Sequence, residues 1–222
     1  MAKAMLPGSL QWDNYWGMDR TKKFTRVSWS KRRIMNILGP YVNESACALD
    51  AGCGSGFFSK YFCDSGLETF AIDYSQQALA IAANLTQGKA KTAKVDLLKN
   101  TLSDILHKKF DIIFTDGLLE HFTPADQDAI IRNFISVLSP RGRIVTFVPN
   151  RFSPWELIRP FFMPGIEEKP FVLKELIDVN ERNGLRVCES GGINTLPFYF
   201  SPDKFLGKYF GMLLYTISVP NA

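Results

Sequence analysis

At 222 residues the chain is long enough for one well-filled core and too short for two full-sized enzymatic domains with linkers. Apolar residues make up 46% and charged residues 22%, which excludes a disordered tail. No apolar stretch approaches the ~20 residues that span a bilayer, so a cytoplasmic globular protein without a transmembrane segment is expected. The net charge of +4 is uneven: residues 1–34 carry eight Lys or Arg against Asp13 and Asp19, a segment of +6 that leaves −2 for the remainder. Such an arm attracts an anionic substrate, nucleic acid or membrane surface, or is simply solvated. Cys47, Cys53, Cys63 and Cys188 form no CxxC pair, so neither a zinc site nor a disulfide framework is indicated, and buried free thiols are expected.

Residues 1–28 lack clean periodicity but gather Trp12, Tyr15 and Trp16 in "QWDNYWGMD". "SWSKRRIMNILGPY" predicts a helix from about Ser30, with Ile34, Ile37 and Leu38 on one face and the Gly-Pro pair ending it. Residues 46–50 read as a short buried strand, "FFSKYFCD" as a helix with its aromatics toward the sheet, 69–73 as a second strand and 75–85 as a helix N-capped by Ser75. Residues 91–97 and 110–116 supply further strands, the second almost wholly apolar as befits a central strand. A helix follows from Pro124, its stripe made by Ile130, Ile131, Phe134, Ile135 and Leu138, and then a strand over 142–150. Residues 151–170 break the rhythm with four prolines, three phenylalanines and a tryptophan, a connection of the length that lids and binding loops have. A helix ending near Gly184 and strands at 185–192 and 212–220 close the chain, the strands separated by the aromatic "LPFYFSPDKFLGKYFG". Alternating strands and helices predict parallel α/β architecture. The expected division is a basic and aromatic cap over 1–45 with one helix, then a single domain over 46–222 with a substrate-pocket insertion at 151–170.

"LDAGCGSGFF" places Gly52, Gly54 and Gly56 between the first strand and its helix. Glycines there allow a sharp turn and let a ligand reach backbone N–H groups. Phe57 stands where the dinucleotide spacing G-x-G-x-x-G requires its third glycine, so the run departs from that pattern. Asp50, Asp73, Asp96 and Asp116 end four successive strands and define one rim, which is where an open α/β sheet binds ligands. Acids beside the glycines suit a nucleoside carrying an ammonium better than one carrying phosphates.

These motifs resemble the class I S-adenosylmethionine-dependent methyltransferases: "LDAGCGSG", "AIDYS", "VDLL" and "FDIIFTDGLLEHF" follow in order across residues 46 to about 148. The resemblance implies a single Rossmann-like domain with a mostly parallel seven-stranded sheet, helices on both faces, and S-adenosyl-L-methionine as cofactor. It implies the methionine part near Asp50 and the Gly52–Gly56 loop, and the ribose on Asp73. The adenine would lie by Tyr74, Asp96 and Leu97, with Asp116, Gly117 and Leu118 on the sulfonium side. "LLEHF" is similar to the Glu-His element of the small-molecule branch that includes ubiquinone and menaquinone methyltransferases. Thr-Asp-Gly-Leu stands where nucleic-acid amino-methyltransferases carry Asn/Asp-Pro-Pro-Tyr/Phe, so DNA is not expected as substrate.

The expected reaction is methyl transfer to an O or N atom of a small apolar or aromatic acceptor. His121, with a reference pKa near ~6.5, is the candidate base, and Glu120 its partner or the base itself. Trp12, Tyr15, Trp16, Trp155 and Tyr199 are the candidate acceptor-binding residues, with Phe161, Phe162, Phe198 and Phe200 beside them, and Arg20, Arg26, Arg151 and Arg159 as partners for an acidic group. No metal is indicated, and a homodimer is compatible with the chain. Plain structural roles stand beside these readings: a glycine turn for packing, Asp73 as a helix cap, Asp96 as a solvated strand end, His121 as a packing residue and Glu120 as a loop-orienting one. A protein or RNA methyltransferase, or a regulatory subunit that binds the cofactor without turnover, are the alternatives.

Overall fold

Residues 47–51 are buried at every position and 110–116 at five of seven, because both faces of their strands are covered. The computed structural model describes residues 9–43, 45–162 and 168–221, so the ends of the 151–170 insertion are described and residues 163–167 are not. Seven strands, β1 (Cys47–Ala51), β2 (Glu68–Asp73), β3 (Lys91–Lys94), β4 (Phe110–Asp116), β5 (Leu138–Pro149), β6 (Leu185–Ile193) and β7 (Leu213–Pro220), form one sheet in the order β3-β2-β1-β4-β5-β7-β6. β7 is antiparallel to both neighbours, while β1 to β5 pair in parallel. The chain reverses direction between β3 and β4, so the ends of β1 and β4 lie side by side at the switch point where such sheets bind ligands.

Helices cover both faces. On one, α2 (Trp29–Val42) and α3 (Phe57–Asp64) bury Ile34, Leu38, Phe57, Phe58 and Phe62 against Ala48, Ile112, Phe114 and Phe147. On the other, α5 (Leu102–Leu106), α6 (Pro124–Val137) and α8 (Leu173–Glu181) bury Leu102, Ile130, Phe134 and Leu176 against Leu49, Ile113 and Ile144. α4 (Gln76–Leu85) seats Leu79 and Ala82 on Ala71 and Cys53, with Ser75 Oγ accepting from the Ala78 amide as its N-cap. α1 (Ser9–Trp16) and a 3-10 segment, Asp19–Thr25, precede this domain, and α7 (Trp155–Phe162) and α9 (Asp203–Phe210) lie in the two aromatic connections.

Four expectations change. α2 runs through Gly39-Pro40 to Val42 rather than ending there, because buried Leu38 and Val42 hold the last turn and the proline costs only one donor near its end. Leu138 belongs to β5, not to the helix stripe. It pairs with Phe110 across a register shift, and Gly142 keeps the bulge close, since a Cβ there would stand 2.7 Å from the Phe110 carbonyl oxygen. β3 stops at Lys94, three residues short of the predicted end. All four cysteines are free thiols, but Cys188 is exposed, lying at a register shift on edge strand β6. Phe114 joins the aromatic layer, its ring centre 4.5 Å from Phe58 and 5.8 Å from Phe62. Phe114→Ala is expected to cost about 3–5 kcal/mol of unfolding free energy, read from urea denaturation with an unchanged m-value.

Candidate active site

The first turn of the domain is made by three left-handed glycines, Gly52, Gly54 and Gly56 (φ 71°, 47° and 69°). Their surroundings divide the labour. A Cβ on Gly56 would stand 2.5 Å from the Ala82 Cα, so this glycine serves the close packing of α3 on α4 and does not line the cavity described below. A Cβ on Gly54 would stand 2.4 Å from Trp16 Cζ2, and the Leu118 side chain lies over Gly52. The Gly52 and Cys53 amides donate to the Ile72 carbonyl at 2.8 and 3.0 Å. Asp73, at the end of β2, accepts from the Gly54 amide at 2.9 Å through one oxygen and from the Ser75 amide at 2.8 Å through the other. The same carboxyl therefore ties the glycine loop to the start of α4, while each oxygen keeps a further acceptor site. Burial outweighs these amides and raises its pKa.

α1 is laid across this loop. Asp13 accepts from the Ser75 hydroxyl at 2.5 Å and from the Gln77 amide at 3.1 Å, which holds its own carboxyl below the usual range and clamps α1 to the N-terminus of α4. Ser55 Oγ donates to the Phe24 carbonyl at 3.0 Å, fastening the 3-10 segment on the other side. Trp16 thereby covers Gly54, Tyr15 is buried beneath it, and Trp12 meets the His121 ring edge-on at 4.9 Å.

Beneath this cover lies a cavity of about 660 Å³, within the range of small-molecule sites. Asp50, Asp73, Tyr74, Asp96 and Leu97 line it, as do Asp116, Gly117, Leu118, Glu120 and His121. Trp12, Tyr15, Trp16 and Trp155 contribute to its wall. Asp50 accepts from Ser59 Oγ at 2.6 Å, yet burial pushes its pKa up to about 7. Burial likewise pushes Asp116 up to about 6, against the pull of the Lys31 ammonium. Asp96 accepts from the Leu98 amide at 3.1 Å and pairs with Lys99 at 3.1 Å.

Lys31 also lines the cavity and carries no motif that would single it out in the sequence. Its Nζ donates to the Phe24 carbonyl and, at 3.1 Å, to that of Arg26, and sits 4.1 Å from the centre of the Phe57 ring. Desolvation lowers its pKa to about 8. Its one preceding signal was membership of the basic arm.

A second group missed in the sequence is Glu168, from the far end of the insertion. Its backbone neighbour Lys169 donates to the Glu120 carbonyl at 2.9 Å, which brings Glu168 beside Glu120. Glu120 is 3% exposed, its Oε2 has no hydrogen-bond partner among the described residues, and burial with the adjacent Glu168 raises its pKa far above the carboxylate range. Glu168 itself is pushed up to about 7 by burial, moderated by the Arg159 guanidinium at 3.5 Å. One ligand atom each from Glu120, His121 and Glu168 lies within 4.8 Å of the others, so this corner offers two carboxyls and an imidazole to a cation or to a polar acceptor group. Arg159 also pairs with Glu156 at 3.0 Å.

Tyr199 does not join the site. Its ring stands 86% exposed against Trp29, and neither it nor Phe198 and Phe200 reaches the cavity, because the connection that carries them folds outward. Arg151 is held by Glu175 at 2.7 Å, and neither it nor Arg20 nor Arg26 is a lining residue. The Phe161 and Phe162 side chains fall outside the described residues, as do residues 1–8 of the basic cap.

Residues 49–144 match the family described as a methyltransferase domain. The magnesium protoporphyrin IX methyltransferase of Synechocystis PCC 6803, solved with bound SAH, superposes with a TM-score of 0.69 at 15% identity over 96% of this chain and 98% of that one. The fold is that of the class I methyltransferases. The lining suits a cationic nucleoside such as S-adenosylmethionine: Asp50 and Asp116 are buried carboxyls that a positive charge would neutralise, and Gly52 and Gly54 bring bare backbone to the wall. In sequence, the chain is 30% identical over 145 residues to the malonyl-[acyl-carrier protein] O-methyltransferase of Enterobacter lignolyticus, covering 64% of this chain and 54% of that one. It is 22% identical over 200 residues to a tRNA N(3)-methylcytidine methyltransferase of Schizosaccharomyces pombe, covering 81% and 65%. The chain spans about half the length of the first curated relatives it matches.

The buried acids set a pH dependence. Asp50, Asp116 and Glu168 hold protons to a higher pH when folded than when unfolded, so the folded chain binds the extra protons between about pH 4 and 7. Stability without cofactor is expected to fall as pH rises through that window, and Asp50→Asn is expected to flatten the fall. Thermal melts of both proteins across the window measure it.

Proposed function

We propose that the chain transfers the methyl group of S-adenosylmethionine to an oxygen or nitrogen atom of a small, apolar or aromatic molecule. The observation that carries this reading is that one cavity is lined by the acids Asp50 and Asp73, by the aromatics Trp12, Tyr15, Trp16 and Trp155, and by Glu120 and His121. When bound, the cofactor supplies an electrophilic methyl on a positively charged sulfur. Asp50 and Asp73 offer acceptors to its ammonium and ribose hydroxyls, and Lys31 offers a cation to its carboxylate. Trp16 and Trp12 exclude water from the transfer zone, which strengthens every charge interaction inside it.

His121 accepts the acceptor's proton at a ring nitrogen, and the cluster that it forms with Glu120 and Glu168 orients the imidazole. The Glu-His pair favours the small-molecule branch of the fold, although the relatives themselves act, by their names, on an acyl-carrier substrate and on a tRNA cytidine. An apolar wall and an enclosed corner favour the small acceptor over either polymer.

Transfer of labelled methyl groups into cell extracts, followed by mass identification of the product, tests the acceptor class. A labelled small molecule supports the reading, and label found only in protein or RNA overturns it. His121→Ala and Glu120→Gln are expected to lower turnover of that acceptor by ~10²–10⁴ with cofactor binding by calorimetry unchanged. Gly54→Val drives its side chain into Trp16 and is expected to abolish cofactor binding in a protein that still melts cooperatively.

A further inference from the structure

α9 meets β6 through glycine alone. A Cβ on Gly207 would stand 1.9 Å from the Gly192 carbonyl oxygen, so backbone lies on backbone and only one narrow strip of the helix faces inward. The positions around that strip are therefore turned to solvent, and they are apolar: Phe205 is 73% exposed, Tyr209 52% and Phe210 50%, with Leu206 beside them. The connection before the helix adds Phe198 at 63%, Tyr199 at 86% and Phe200 at 76%. Singly exposed apolar residues are ordinary, but a contiguous set of this kind marks an interaction surface.

The loop is built to hold them there. The Arg33 guanidinium bonds to Asn194 Oδ1 and to the Phe198 carbonyl, and pairs with Asp203 at 3.1 Å. Asp203 accepts in addition from Ser201 Oγ at 2.5 Å and from the Thr195 amide at 2.8 Å. The aromatics are thus presented from an ordered frame.

Charge selects the occupant. Asp203, already paired with Arg33, is the one acid of residues 194–212, and the exposed charges there are Lys204 and Lys208. Tyr199 continues onto Trp29 at 5.7 Å, and Trp29 carries the Arg32 guanidinium at 5.7 Å from its ring. That contact joins the patch to the basic segment that includes Lys22, Lys23 and Arg26. Aromatic and aliphatic side chains rimmed by lysine and arginine are what the interface of an anionic bilayer accommodates. A second copy would set Lys204 and Lys208 against their own equivalents across a twofold axis.

We propose that this face docks the protein on an anionic lipid surface. Ile193, at the end of β6, pairs with Leu213, which also pairs with Pro149 at the end of β5, so the patch lies on the same sheet edge as the cavity. Met212 and Leu213, just beyond α9, line the cavity itself. Docking therefore brings an apolar chamber toward the phase in which apolar acceptors partition. The docking stands without the methyl-transfer reading, and only this last use of it rests there.

Vesicle flotation tests it with no cofactor or acceptor present, so its failure is separate from that of the enzymatic reading. The probes are vesicles of phosphatidylcholine alone and of equal parts phosphatidylcholine and phosphatidylglycerol. The wild-type chain is expected to float with the mixed vesicles, to lose that association in high salt, and to bind phosphatidylcholine more weakly. The combined variant Phe198→Ser, Tyr199→Ser, Phe205→Ser is expected to lower the partition coefficient at least about tenfold, and Lys204→Glu with Lys208→Glu about tenfold on the mixed vesicles alone. Melting temperatures of both variants establish that they fold. A wild-type chain that ignores both vesicles overturns the proposal, whether it then proves to be a dimer dissolved by the aromatic variant or is retained on single-stranded RNA. Unaltered flotation of both folded variants overturns it equally.

Discussion

The structure turns on carboxyl groups taken out of water at the edge of an apolar sheet. Asp50 is the penultimate residue of a strand that is buried throughout, and Asp116 ends one that is buried at five of its seven positions. Isolated carboxylates in such surroundings are costly, so the groups retain their protons to unusually high pH or recruit positive charge. Both responses are visible, since Lys31 is drawn into the cavity against its own desolvation and Arg159 is drawn toward Glu168. A ligand bearing an ammonium and a sulfonium meets the same demand from within the cavity, which is why the acidic rim and a cationic nucleoside belong together.

That demand explains the N-terminal segment. α1 contributes little to the core cluster beneath the sheet, but it closes the cavity with Trp12, Tyr15 and Trp16 and is held by Asp13 on the first turn of α4. The N-terminus of a helix is where a carboxylate is most favoured, and Asp13 occupies it from another element. The clamp therefore sits on the same turn that Asp73 organises from below, through the Ser75 amide. Cover and glycine loop share one anchor, so a disturbance at Ser75 reaches both.

Much of this was legible beforehand. β4 and α3 begin and end where the apolar run and "FFSKYFCD" place them, and Gly52, Gly54, Asp50, Asp73, Asp96 and Asp116 line one cavity, while Gly56 serves packing instead. The failures have physical causes. α5, α7 and α9 are short, and two of them contain Pro160 or Gly207, so propensity argues against helices that tertiary contacts support. Lys31 and Glu168 act through position alone, one by folding back over Phe57 and the other by a backbone bond far along the chain, and neither leaves a local pattern. Tyr199 was grouped with the cavity aromatics by composition, which carries no direction. The connection that carries it leaves all three of Phe198, Tyr199 and Phe200 exposed.

The insertion is anchored apart from the glycine turn. Its described ends are stitched together by backbone: the Arg151 amide donates to the Phe171 carbonyl at 2.9 Å, the Phe171 amide to the Pro149 carbonyl at 2.9 Å, and the Asn150 side chain to the Gly211 carbonyl at 2.9 Å. With the ends fixed, the entropic cost of altering the length between them grows only slowly. Trp155, Arg159 and Glu168 can therefore change without disturbing Asp50, Asp73 or the glycine turn, which depend on β1, β2 and α4. Glu120 ties the insertion to the segment after β4, since its carbonyl accepts from Lys169 and its carboxyl lies in one cluster with His121 and Glu168.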